Sequence, residues 1–180
     1  LYMKRYCLLH PVVQGNKWRK LEPLVASLQQ GKYQGILTFG GPFSNHIHAV
    51  ASAGRHFGFP TAAIIRGSSV DVHNPTLAHA QACGMQLIPV PKKEYDAGNS
   101  SEEVKAILDQ YAGHYHLPEG GATREAMLNC AKISAEILEQ TPGIPAAQRF
   151  VAVPAGTGCT AAGVVGGLGD QGTALVFPAA

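Results

Sequence analysis

Short apolar runs alternate with amphipathic stretches along most of the chain. Ile36-Leu37-Thr38-Phe39, set between Gly35 and Gly40, predicts a buried strand, and residues 44–57 behind it predict a helix. The unit recurs as 61–65 then 75–83, 85–90 then 101–111, 114–118 then 123–139, and 149–153 then 158–168, with a closing strand at 173–177. Strands and helices alternating at these lengths predict an α/β fold, a parallel sheet covered by helices on both faces. Residues 1–5 alternate like a further strand, and Asn16 is placed to cap a helix reaching about Gln30. Ser44 and Ser101 suit helix starts, Gly31, Gly58 and Gly84 suit helix ends, and residues 68–74 and 92–100 read as long surface loops.

Composition narrows the partners. Of 180 residues 46% are hydrophobic and only 14% charged, against about 25% charged in an average domain, which excludes disorder and calls for a substantial core. Fourteen Lys and Arg against twelve Asp and Glu give a net charge of +2 with no basic block, so nucleic acid is not an expected partner and a small molecule is. The uncharged stretch 150–169 is broken by Pro154, Thr157, Thr160 and six glycines, so it is not read as a membrane span. Cys7, Cys83, Cys130 and Cys159 form no CxxC pair and read as buried thiols of a reducing cytoplasm, with no metal site. The first residues resemble neither a signal peptide nor an initiator, and the chain is expected to begin inside a longer protein.

Three clusters could carry chemistry. Lys17, Arg19 and Lys20 crowd the first turn of a helix, against its dipole, so the cluster is either a solvated basic face or an anion site with one lysine held easily deprotonated, as a Schiff-base lysine must be. Ser44-Asn45-His46 follow a strand at its carboxyl end, where ligands bind in open parallel sheets; caps alone would explain Ser44 and Asn45. His46 offers an imidazole to pair with a carboxylate. Gly156-Thr157-Gly158-Cys159-Thr160 stand between a strand and a helix and could cradle a phosphate, although the letters also fit a dinucleotide loop or plain helix packing. Glu119-Gly120-Gly121 would bring another turn to the same edge, with Thr123 as a cap. Trp18 walls a pocket or anchors the core, and His114 and His116 alternate along a strand without a third ligand.

Gly15-Asn16-Lys17-x-Arg19-Lys20-Leu21-Glu22, Gly40-Gly41-x-x-Ser44-Asn45-His46 and Thr157-Gly158-x-Thr160-x-x-Gly163, in this order, closely resemble the 1-aminocyclopropane-1-carboxylate deaminase and D-cysteine desulfhydrase family. The resemblance implies a pyridoxal 5'-phosphate enzyme of the tryptophan-synthase-beta type (PLP fold type II), three-layered, with mainly parallel sheets and a C-terminal part missing from this chain. It implies that residues 36–118 form the smaller subdomain and that the full-length protein is a cytoplasmic homodimer. Lys17 would bear the cofactor, Asn45 would bond its ring oxygen, and Gly156, Thr157, Gly158 and Thr160 would hold its phosphate with help from Lys20. Ser44, Asn45 and His46 would meet a small amino-acid substrate, and Lys17 and Ser44 would be the catalytic pair. His46, where the deaminases usually have glutamine, points to β-elimination of D-cysteine, giving pyruvate, ammonia and sulfide. The alternatives are 1-aminocyclopropane-1-carboxylate deamination and a non-catalytic nucleotide- or metabolite-binding Rossmann-like module. Tyr6-Cys7 and Ala122-Thr123 depart from the residues usual in the family.

Overall fold

The computed structural model describes residues 1–13, 15–71 and 73–179. In chain order its regular elements are α1 (Asn16–Gln29), β1 (Ile36–Gly40), α2 (Asn45–Phe57), β2 (Thr61–Arg66), α3 (Pro75–Ala82), β3 (Gln86–Val90), α4 (Lys92–Ala97) and α5 (Glu102–Gln110). They continue with β4 (Tyr115–Leu117), α6 (Arg124–Cys130), α7 (Lys132–Gln140), β5 (Phe150–Ala155), α8 (Cys159–Leu168) and β6 (Thr173–Pro178).

The strands form two parallel sheets: four strands in the order β3-β2-β1-β4, and the pair β5-β6. Period-two alternation explains the layering of the larger sheet. Ile36, Ala63 and Ile65 point into one core with Leu21, Val25, Ile47 and Val50 of α1 and α2, while Leu37, Ala62 and Ile64 point into a second with Val104 and Tyr111. A third core of Cys130, Ile133, Val153, Ala161 and Val164 joins α6, α7 and α8 to β5. The first sheet stops at the three-residue β4, and the next helices pack on α8 instead of extending it, so one expected sheet becomes two.

Four local expectations are corrected. Residues 1–5 form no strand; Leu1, Tyr2 and Met3 are exposed ahead of a single 3-10 turn at Tyr6–Leu8. The expected loop at 92–100 contains α4 and a 3-10 turn, Gly98–Ser100, helped by Lys92 reaching Asp96 one helical turn on. The helix expected at 123–139 divides at Ala131, against which Gly167 of α8 lies. Cys130 and Cys159 are buried, but Cys83 is half-buried and Cys7 exposed.

Pro23 lies inside α1, where its missing N–H leaves the Arg19 carbonyl without its usual intrahelical donor. Asn129 of α6 supplies one, its Nδ2 donating to that carbonyl at 2.6 Å. Gly163 lets α8 approach as closely from the other side: a Cβ there would lie 2.5 Å from Cys130 Cβ and strike the Met127 carbonyl. Gly163→Ala is therefore expected to cost ~1–3 kcal/mol in denaturant unfolding despite alanine's better helix propensity, whereas Gly166→Ala, which meets nothing within 4 Å, is expected to be neutral or mildly stabilising.

Candidate active site

The carboxyl ends of β1 and β5, the first turn of α1 and the turn after β4 enclose a cavity of about 590 Å³. Lys17, Lys20, Ser44, Asn45 and His46 line it, and so do Gly156, Thr157, Gly158 and Thr160. Asn16 and Thr160, 144 residues apart in sequence, thus meet at one place.

Helix α1 brings in its charges unequally. Its N-cap is Gly15, at φ +66°, rather than Asn16, which is the first helical residue; Asn16 Nδ2 instead donates to Thr160 Oγ1 at 2.8 Å and ties the start of α1 to the start of α8. Arg19 turns away from the cavity to an ion pair with Glu136 and a 3.4 Å contact with Glu22. Lys20 is buried and its Nζ donates to the Gly120 carbonyl at 2.8 Å. The Lys17 amine is left beside the cavity, where burial first and the Lys20 charge second pull its pKa down to about 8.

Ser44 is the N-cap of α2, its Oγ accepting from the backbone N–H of His46 at 3.2 Å and of Ile47 at 3.4 Å. Asn45 is exposed on the cavity rim, while His46 is only 2% exposed. His46 Nε2 lies 2.8 Å from Thr38 Oγ1, and burial, reinforced by the charges of Lys17 and Lys20, takes the imidazole down to about 3. A neutral imidazole offers a carboxylate a hydrogen bond and not an ion pair.

The opposite wall is the turn from β5 into α8. Gly158, at φ +78°, is the N-cap of this ten-residue helix, and the positions where Gly156 and Gly158 would carry a Cβ are open. Backbone N–H groups at such an end attract an anion. Gly120 braces the loop from below: a Cβ there would lie 2.6 Å from Thr157 Cγ2.

Thr38, Arg66, Tyr95 and Glu119 complete the surroundings. The Arg66 guanidinium lies 5.7 Å over the Tyr95 ring, whose hydroxyl donates to Glu119 Oε2 at 3.0 Å. Arg66 occupies the carboxyl end of β2, a position that the rule used for Ser44 would have singled out. Thr38 gave no signal within its apolar strand. Trp18 stacks on His10 and Phe57 as a core anchor, and Tyr6 lies off the cavity, donating to Glu136. Thr123 caps α6 through the Ala126 N–H. Among the described residues no group of three His, Cys, Asp or Glu side chains could hold a metal ion, and no helix is long and apolar enough to cross a membrane.

A half-buried amine of lowered pKa that lines one cavity with a glycine-rich helix start, between parallel sheets, defines a cofactor-dependent α/β enzyme class. The chain belongs to the pyridoxal-phosphate dependent enzyme family, whose model matches residues 1–177. A Pyrococcus furiosus protein named provisionally as a 1-aminocyclopropane-1-carboxylate deaminase is 30% identical, over 93% of this chain and 51% of its own length. An Arabidopsis thaliana mitochondrial protein named as a bifunctional D-cysteine desulfhydrase/1-aminocyclopropane-1-carboxylate deaminase is 27% identical, over 91% of this chain and 44% of its own. A crystal structure described as an ACC deaminase homologue superposes with a TM-score of 0.77 at 25% identity, covering 96% of this chain and 54% of that one. The chain spans about half the length of the curated relatives it matches.

The residues fit the family's cofactor. Pyridoxal phosphate carries an anion and an aldehyde, and the cavity offers an anion-attracting helix start, an amine that is partly neutral near pH 8, and the further cations Lys20 and Arg66 against the single carboxylate of Glu119. A dinucleotide is not the cofactor of this family.

Proposed function

We propose that the protein to which this chain belongs is a pyridoxal-phosphate dependent lyase that deaminates a small amino acid, and that D-cysteine is its substrate. The observation that carries the reading is the placement of Lys17 at the cavity with its amine near pKa 8. When bound, pyridoxal phosphate supplies an electron sink for the pair left at Cα as its proton departs. Lys17 would hold the cofactor through its amine, and the same Nζ would take the Cα proton. Ser44, fixed by its two backbone N–H bonds, would orient the substrate, and Asn45 on the rim would hydrogen-bond the cofactor's ring oxygen. Thr157 and Thr160, with the N–H groups behind Gly156 and Gly158, hold the phosphate, and Lys20 adds positive charge from its bond to Gly120. The larger sheet and its helices support residues 36–118 as the smaller subdomain.

Ring opening of 1-aminocyclopropane-1-carboxylate is the second reading, favoured by the names of the Pyrococcus relative and of the matching structure, while the Arabidopsis relative is named for both activities. The two products separate the readings. Full-length protein with pyridoxal phosphate is expected to release pyruvate and sulfide from D-cysteine faster than 2-oxobutyrate from the cyclopropane. Dominant ring opening reverses the choice, and neither product in a protein that binds the cofactor rejects both.

A further inference from the structure

An amino acid brings a carboxylate into the cavity, and the side chains assigned to the substrate offer it no cation. Ser44 and Asn45 are neutral, and His46 is buried with Nε2 turned to Thr38 at 2.8 Å. The described lysines and arginines that line the cavity are Lys17, Lys20 and Arg66. Lys17 is the group proposed to hold the cofactor, and Lys20 Nζ is committed to the Gly120 carbonyl at 2.8 Å. Arg66 remains. Its side chain is exposed, and no carboxylate among the described residues forms an ion pair with it.

Contacts fix where its guanidinium lies. Cζ stands 5.7 Å over the centre of the Tyr95 ring, and Nη2 lies against Gly41, where a Cβ would be 3.3 Å away. The Gly41 carbonyl accepts from the Ser44 N–H at 3.1 Å, closing a four-residue turn, and both ends of that turn line the cavity. The guanidinium therefore rests on the turn that delivers Ser44. A guanidinium carried on an aromatic face keeps the N–H donors of its edge for a ligand. The Tyr95 hydroxyl donates to Glu119 Oε2 at 3.0 Å, which gives the carboxylate lining the cavity a partner other than Arg66. We propose that Arg66 is a specificity-determining residue that binds the carboxylate of the substrate. Two parallel N–H bonds from one guanidinium edge match the two carboxylate oxygens, so a simple amine is discriminated against. This deepens the proposed function and rests on it for the substrate being an amino acid, and it gives the carboxylate an ion-pair partner that His46 does not supply.

The test uses the full-length protein loaded with pyridoxal phosphate. Arg66→Gln is expected to raise KM for the amino acid turned over ~10- to 100-fold while kcat stays within ~3-fold, and Arg66→Lys should recover part of the loss. Selectivity is read without turnover, since D-alanine and ethylamine differ by the carboxylate and the visible absorption of the cofactor reports the binding of each. The wild type should prefer D-alanine, and Arg66→Gln should forfeit at least ~10-fold of that preference with cofactor affinity unchanged. In the wild type, phenylglyoxal should modify Arg66, and D-alanine but not ethylamine should shield it, as peptide mapping would show. A preference that survives in Arg66→Gln, or an Arg66 that D-alanine leaves unshielded, overturns the proposal, and the second result needs no variant to fold. Failure of the cofactor to attach at Lys17 would instead count against the proposed function, and the shielding of Arg66 would still be decided by the phenylglyoxal map.

Discussion

Lys17→Ala is expected to remove covalent cofactor attachment and to lower turnover by at least ~10³-fold, within the range that a positioned proton-transfer group contributes. The amine is lowered to about 8 by burial and by Lys20, so near that pH about half of it is neutral and nucleophilic, where an ordinary lysine is almost wholly charged. Borohydride reduction of the loaded protein followed by peptide mapping should place the cofactor's mass on Lys17. Acylation of that residue should rise with pH around a midpoint of about 8. Label on Lys20 or Lys32, or a Lys17→Ala variant that keeps its turnover, would refute the assignment.

Thr160→Ala is expected to weaken pyridoxal phosphate binding by ~10- to 100-fold, in line with ~1.5–3 kcal/mol for a hydrogen bond to a charged group. Two effects combine in this variant. It removes a hydroxyl from the phosphate end of the cavity, and it takes away the acceptor of Asn16 Nδ2, loosening α1 from α8 beside the reactive lysine. Thr157→Ala removes only the first, so its loss in a cofactor titration should be the smaller. Equal affinities for wild type and both variants would show that the hydroxyls do not hold the phosphate.

The strand–helix rhythm was readable because each strand is a short apolar run between turn residues, and the caps at Ser44, Ser101 and Thr123 sit where their side-chain oxygens indicate. Alternation failed at residues 1–5, since period two without a neighbouring strand to pair with makes no sheet. The break at Ala131 was invisible because it falls where Gly163 and Gly167 of α8 press on α6 and α7, a tertiary cause. The cavity's residues could be named from two local blocks and a glycine turn. Arg19 could not be excluded from it, because its partner Glu136 stands 117 residues away, and Thr38 could not be included, because a threonine in a strand usually signals only β propensity.

The bonds that shape the cavity span long loops: Asn16 to Thr160 and Lys20 to Gly120 close 144 and 100 residues of chain. Loop closure of that size costs entropy before any contact repays it, so helices and neighbouring parallel strands have a head start over these ties during folding. The cofactor's seat is therefore among the last parts of the molecule to take shape. An occupant that bridges α1 and α8 selects chains whose topology is already complete, and it stabilises the ties that would be the first to open again.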